Sequence, residues 1–192
     1  MLRKNLIIFG ILITLSIPCW GAEMSLESAI GHGFNDSISQ DYNGVWRSFS
    51  PVTATLMFEF AGYAPNNSFG YYDIDTPSKK VEIFGGAISP VLTSSVDISG
   101  HFGFYLQSVQ GTWYSQDILN EDQSPHMLAF RESPTSYLLA WEDLPFSIAD
   151  KDFQDMVIRV DQAAPIPEPS TFLLLGAGLV VFSRWGRKTL DR

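Results

Sequence analysis

The chain has 192 residues, a length that favours one domain with short appended segments. Charged residues make up 17% of the chain and aromatic residues 14%, so it is too apolar and too aromatic for a disordered protein. The formal net charge of -9 argues against nucleic acid as a partner, because phosphate binding requires a basic surface.

The N-terminal segment has the composition of a secretory signal peptide. A basic start is followed by an apolar run over residues 6–15, which suits secretion and is too short for a stable membrane span. Pro18 breaks the helix after this run, and cleavage after Gly21 would place small residues at the positions that signal peptidase reads. We therefore predict a signal peptide over residues 1–21; the alternative is an N-terminal anchor that stays uncut.

Cys19 is the single cysteine of the chain and lies inside the predicted signal peptide. Its removal would leave a mature chain without cysteine, which excludes disulfides, thiolate metal sites and cysteine nucleophiles. The mature chain would then be stabilised by packing, and a bound hard cation is the remaining source of additional stability.

The C-terminal segment combines prolines, an apolar run and a basic end. The Pro-rich stretch over residues 163–171 is predicted to be an extended linker. The following segment, residues 172–192, is predicted to be a transmembrane helix with a basic tail, although its apolar run is at the short end for spanning a membrane. The residues that would hold this tail on the cytoplasmic side are Arg184, Arg187 and Lys188.

The order of these parts resembles the PEP-CTERM sorting signal of exported bacterial proteins. The resemblance is carried by Pro167, Glu168 and Pro169, which precede the Gly-containing apolar run and the basic end. In that family an inner-membrane exosortase recognises the signal and cuts near the Pro-Glu-Pro, and the host bacteria make extracellular polysaccharide. The resemblance implies a protein held transiently in the inner membrane and then placed at the cell surface or outside the cell. An ordinary C-terminal anchor is the alternative.

The body between the two terminal segments, residues 22–167, is strongly acidic. It contains 19 acidic and 6 basic residues and therefore has a net charge of -13. This charge favours cations as partners and keeps the body away from anionic lipid and nucleic acid.

Apolar and polar residues alternate along much of the body, which predicts short β-strands. The alternation is clearest in residues 53–60, 80–84, 101–107, 136–141 and 156–160. Turn signals lie between these stretches, among them Asn43-Gly44 and Ser133-Pro134. We therefore predict an all-β fold, an antiparallel β-sandwich of jelly-roll-like type, over residues 42–162, after an extended lead-in over residues 22–41.

Five carboxylates lie within fourteen residues between the last two predicted strands: Glu142, Asp143, Asp150, Asp152 and Asp155. A hairpin would bring them together, and their mutual repulsion is a reason to expect a compensating cation. Calcium fits best, because it takes six to eight oxygen ligands in loose geometry, whereas magnesium demands a tighter octahedron and zinc favours His or Cys. The alternative is a solvated acidic hairpin in which the aspartates form turns.

The body also resembles the uncharacterised exported domain of unknown function 4114. The similarity spans about residues 42–160 and is most specific at Trp141-Glu142-Asp143-Leu144 and over residues 150–157. The resemblance supports a β-rich exported domain with bound calcium and implies no established activity. Family members often have Asn where Gln154 stands, so Gln154 is left out of the predicted ligands.

Other chemistry is less well supported by the sequence. The three histidines, His32, His101 and His126, are far apart and are expected to be structural or surface residues. Four aromatic residues could stack on sugar rings or fill the sandwich core, with the core favoured: Tyr71, Tyr72, Trp113 and Tyr114.

Glycosidic hydrolysis needs two carboxylates, and Glu142 with Asp152 would be the candidate pair. Hydrolysis requires one carboxyl group with a raised pKa and one with an ordinary pKa. A crowded loop of acids fits cation binding better than this arrangement. We therefore predict a non-enzymatic exported protein. Two alternatives stay open: a carbohydrate-binding module for extracellular polysaccharide, and a glycoside hydrolase.

Overall fold

The computed structural model describes residues 25–39, 42–85 and 92–167. Their fold is all-β and antiparallel, which confirms the predicted class. Several predicted features lie outside these residues: the signal peptide, Glu168, Pro169, Arg184, Arg187 and Lys188. Within the described ranges, no helix is both long and apolar enough to cross a membrane.

Nine strands and one short α-helix form the described fold. The helix is α1 (Leu26–Ile30), and the strands are β1 (Tyr42–Phe58), β2 (Ser68–Asp73), β3 (Thr76–Gly85), β4 (Thr93–Val96), β5 (His101–Ser108), β6 (Gly111–Tyr114), β7 (Met127–Ser133), β8 (Ser136–Trp141) and β9 (Met156–Pro167). Seven strands are hydrogen-bonded in the order β3-β2-β5-β1-β9-β8-β7, while β4 pairs with β1 and β6 with β5.

The sheet curls so that its two halves face each other. Phe69 on β2 and Trp141 on β8 have ring centroids 6.2 Å apart, although β5, β1 and β9 lie between these strands in the sheet. Adjacent strands are about 4.8 Å apart, so a flat sheet would hold β2 and β8 at roughly 19 Å. The sheet must therefore fold over a shared core, as a sandwich does.

Aromatic side chains dominate this core because alternate strand positions face inward. Trp46 is fully buried and meets Phe104 and Tyr137 edge-on, with ring centroids 5.3 and 5.2 Å apart. Such pairs contribute about 0.5–1.5 kcal/mol beyond the burial of their area. The core therefore joins β1, β5 and β8 through one aromatic cluster.

The predicted lead-in over residues 22–41 is not simply extended. Ser25 caps α1, and Leu26 is buried in a second apolar cluster with Phe130. The Ser39 hydroxyl accepts a hydrogen bond from the Ala129 amide at 2.9 Å. The described part of the lead-in therefore packs on β7.

The predicted linker boundary at residue 163 is wrong, because β9 continues to Pro167. Ala163 and Ala164 are buried, and Pro165 is paired with Trp46 on β1. The pairing of β9 with β8 ends at Asp161, so residues 162–167 have a strand neighbour on one side only. Proline is tolerated at such an edge, which is why Pro165 and Pro167 do not end the strand.

Gly44 lies inside β1 and not in the turn predicted from Asn43-Gly44. Its φ is +75°, and a β-carbon there would lie 1.9 Å from the Ser115 carbonyl oxygen. The Ser115 hydroxyl donates a hydrogen bond to the Gly44 carbonyl oxygen at 2.6 Å and accepts one from the Phe104 amide at 3.0 Å. This close approach holds β1 against β5 and requires glycine.

We expect Gly44→Ala to lower the free energy of unfolding by about 3 kcal/mol, because the β-carbon meets backbone and the left-handed φ is strained. Gly100→Ala is the matched control, since Gly100 has a φ of +80° with no heavy atom within 4 Å of the added carbon. The control should lose about 1 kcal/mol. Urea unfolding followed by tryptophan fluorescence measures both, and equal losses would contradict the steric explanation.

Candidate metal centre

The acidic loop, residues 142–155, connects β8 to β9. Trp141 is paired with Met156, so the two ends of the loop start side by side. The five predicted carboxylates come together as two overlapping triplets, and within each triplet one oxygen per residue lies within 4.8 Å of the others. The inner triplet is Glu142, Asp143 and Asp155, and the outer triplet is Glu142, Asp150 and Asp152.

The inner triplet is held by hydrogen bonds from the sandwich. Glu142 and Asp143 are 0% and 1% exposed. The Asp143 carbonyl oxygen accepts from the Ser108 hydroxyl at 2.8 Å and from the Trp113 indole N–H at 2.9 Å. The Asp143 amide donates to Asp155 Oδ2 at 2.8 Å, which fixes one end of the loop against the other.

Two residues that the sequence analysis missed, Asn67 and Glu59, lie beside the inner triplet. The Asn67 side-chain nitrogen donates to Asp143 Oδ2 at 2.9 Å, and Asn67 is fully buried. Glu59 lies close enough that the charges of Asp143 and Asp155 act on its carboxyl group. Asn67 lies 76 positions before Asp143 in the sequence, so no spacing pattern connects the two residues.

Four buried side-chain oxygens near the two triplets have no hydrogen-bond partner in the described part of the chain. They are Glu59 Oε1, Asn67 Oδ1, Glu142 Oε1 and Gln154 Oε1. Asn67, Glu142 and Gln154 are 0%, 0% and 4% exposed, so water does not reach them freely. An unsatisfied buried acceptor costs about 1–3 kcal/mol, so this collection of lone pairs is suited to a positive ligand.

The crowding raises the pKa of several of these carboxyl groups. Burial raises the pKa of Glu142 to about 8, and the charge of Asp155 adds to the rise. Burial raises the pKa of Asp155 to about 6, although the Asp143 amide opposes the shift. Burial also raises the pKa of Glu59 to about 7, with a smaller contribution from neighbouring charges. Without a cation, the folded state therefore favours protonated carboxyl groups.

The outer triplet is less enclosed than the inner one. Asp150 is exposed, and Asp152 accepts hydrogen bonds from the amide and the side chain of Gln154, the amide at 3.0 Å. Lys151 and Phe153 have φ values of +63° and +56°, a left-handed conformation that is uncommon outside glycine. Asp152 thus forms a turn, as in the solvated-hairpin alternative, while its oxygens still face Glu142.

His126 contacts the start of the acidic loop, in keeping with the structural role expected for it. It is fully buried and stacks on Trp113, with ring centroids 3.9 Å apart. Its Nδ1 lies 3.2 Å from the Glu142 carbonyl oxygen, and its Nε2 lies 3.1 Å from the Asp122 carboxylate. Of the four aromatic residues that the sequence analysis assigned to the core, Trp113 and Tyr72 are buried, whereas Tyr71 and Tyr114 are only half-buried.

The family comparisons confirm both resemblances noted in the sequence. Residues 85–163 match the family model described as a domain of unknown function (DUF4114), and residues 165–188 match the PEP-CTERM protein-sorting motif. The acidic loop lies wholly inside the first match, whereas Glu59 and Asn67 lie before it.

One solved structure has a related shape. The C-terminal domain of the BC2L-C lectin from Burkholderia cenocepacia is 15% identical, with a TM-score of 0.38 over 65% of this chain and 97% of that chain. No curated protein matches the chain significantly.

In metal-free buffer we expect the free energy of unfolding to fall as pH rises from about 5 to about 8. The pKa values of Glu142, Asp155 and Glu59 are higher in the folded chain than their ordinary values of 4.5 and 3.8. The stabilisation from bound protons is therefore complete below the ordinary pKa and is lost as pH passes the folded values. Urea unfolding at several pH values measures this slope.

Glu142→Gln is the control for this pH dependence, because the amide keeps the shape of the side chain and cannot ionise. The variant should show a shallower fall between about pH 5 and about pH 8. A wild-type stability that rises with pH across this window would contradict the assignment.

Proposed function

Because the chain carries a DUF4114 domain followed by a PEP-CTERM sorting motif, we propose that it is an exported, exosortase-processed protein with a calcium-stabilised β-sandwich. Signal peptidase and exosortase are its partners during export, and the C-terminal segment holds it transiently in the inner membrane. The released body acts at the cell surface or in the extracellular matrix without catalysing a reaction.

The group of buried, unpartnered oxygens around the inner triplet carries the calcium proposal. Calcium takes six to eight oxygen ligands from carboxylates, amides, carbonyls and water. Glu142, Asp143 and Asp155 supply carboxylates, Asn67 supplies an amide oxygen and Glu59 a further carboxylate. This set has no nitrogen or sulfur ligand of the kind that zinc prefers.

Bound calcium would relieve the repulsion among these carboxylates. Without calcium, protonation of the carboxyl groups relieves the same repulsion. If the dissociation constant lies 100-fold below the ambient calcium concentration, binding adds about 2.7 kcal/mol to stability. This gain is large against the roughly 5–15 kcal/mol of a typical domain. Outside the cell, where calcium is available, such a site would substitute for the disulfides that the mature chain lacks.

The clustering of three carboxyl groups with raised pKa values favours a shared cation site over an isolated pair of catalytic acids. Glycoside hydrolysis uses one carboxyl group with a raised pKa and a second that stays ionised. Here Glu142, Asp155 and Glu59 are shifted in the same direction. Three cavities of about 340, 380 and 520 Å³ are lined by residues outside the acidic loop.

Calcium should raise the melting temperature of the full chain by about 10 °C relative to the same protein in EDTA. The reason is that the ion binds the folded inner triplet and has no such site in the unfolded chain. Differential scanning calorimetry in a nonionic detergent measures the shift, with magnesium as the comparison ion. Equal melting temperatures in calcium and EDTA would contradict the proposal.

Asp155→Asn should abolish the calcium-dependent shift and raise the melting temperature in EDTA. The amide removes one of the repelling charges, and its oxygen can still accept the hydrogen bond from the Asp143 amide. Asp97→Asn changes an exposed carboxylate outside the acidic loop and should keep the wild-type response. A calcium shift that survives in Asp155→Asn would rule out the inner triplet as the site.

A further inference from the structure

A groove of about 520 Å³ crosses β1, β9 and the turn between β7 and β8. This volume lies within the roughly 300–1,000 Å³ of pockets that hold small ligands. The residues that give the groove its chemistry are Arg47, Phe49, Arg131, Pro134, Tyr137 and Pro165.

The groove contains two arginines without an acidic partner in the described ranges. Among arginines there, ion pairs are formed by Arg159 alone, with Glu132 and Asp161. Burial raises the pKa of Tyr137, and the positive charges of Arg131 and Arg47 oppose that rise, so both guanidinium groups act on the same phenol. Two of the six basic residues in a body of net charge -13 are therefore concentrated in one groove.

Apolar rings lie beside these charges. The Phe49 side chain is 51% exposed, and the Arg47 guanidinium carbon lies 4.9 Å from the centre of its ring. Pro134 and Pro165 add rigid apolar walls. An exposed ring can stack on the apolar face of a ligand. A guanidinium group beside it can donate two parallel hydrogen bonds to a carboxylate within the same small cavity.

We infer that this groove binds an anionic oligosaccharide through the carboxylate of a uronic acid unit. Arg47 and Arg131 bind the carboxylate, and Phe49 stacks on the apolar face of a sugar ring. The inference goes beyond the calcium-stabilised sandwich and does not depend on it, because no residue of the acidic loop lines the groove.

Charge favours a short anionic saccharide over an anionic membrane as the partner of this groove. An anionic membrane would bring the whole acidic body close to a surface of like charge, which the net charge of -13 opposes. A short sugar segment presents its carboxylate and its ring face to the groove and leaves the rest of the body in solvent.

Isothermal titration calorimetry of the full chain with trigalacturonate, in a nonionic detergent at low ionic strength, tests the inference. Binding is expected, with a dissociation constant that increases with salt because the contact is ionic. Arg47→Gln and Arg131→Gln should each weaken binding by at least about tenfold, the effect of losing one charge-assisted pair. Their melting temperatures should stay near the wild-type value, because neither arginine forms an ion pair in the described residues.

Lys79→Gln is the matched control, since it removes a positive charge outside the groove, and its affinity for trigalacturonate should be unchanged. The absence of trigalacturonate binding would overturn the inference. Equal affinity for neutral maltotriose would also overturn it, as would equal affinity for triglutamate or for phosphatidylglycerol vesicles. Asp155→Asn should bind trigalacturonate as the wild type does, which separates this test from the calcium proposal.

Discussion

Repulsion among carboxylates that the fold buries at the end of β8 is the interaction on which the rest of this structure depends. Glu142 and Asp143 are among the least exposed of the described residues, yet their side chains approach each other and Asp155. Protons or a divalent ion can neutralise such a cluster, and water cannot do so at these depths. The neighbouring strands offset part of the free-energy cost of burying these charges, because Ser108 and Trp113 donate hydrogen bonds to the Asp143 carbonyl oxygen.

The acidic loop is therefore also a junction of the sandwich. The Asp143 carbonyl oxygen collects hydrogen bonds from Ser108 and Trp113, and the Phe60 amide after β1 donates to the Gln154 and Asp155 carbonyl oxygens, at 3.3 and 3.2 Å. Strands from both halves of the curled sheet thus meet at one loop. Neutralising the cluster would therefore act on a loop whose hydrogen bonds connect both halves of the curled sheet.

Much of the fold could be predicted from sequence, because alternation of apolar residues reports directly on strands with one buried face. The acidic loop was equally visible, since its five carboxylates are close in sequence. Glu59 and Asn67 could not be identified in this way: they reach the cluster through the curl of the sheet, which no local pattern encodes. The β9 boundary was missed for a different reason, because prolines signal a break unless the strand is known to lie at an edge.

The extension of β9 to Pro167 has a consequence for proteolytic maturation. Tyr42 on β1 is paired with Pro167, the first residue of the Pro-Glu-Pro triplet, so no slack chain separates the folded body from that triplet. A protease that reads this motif would have to act beside a hydrogen-bonded strand, because β9 overlaps the first three residues of the matched sorting motif.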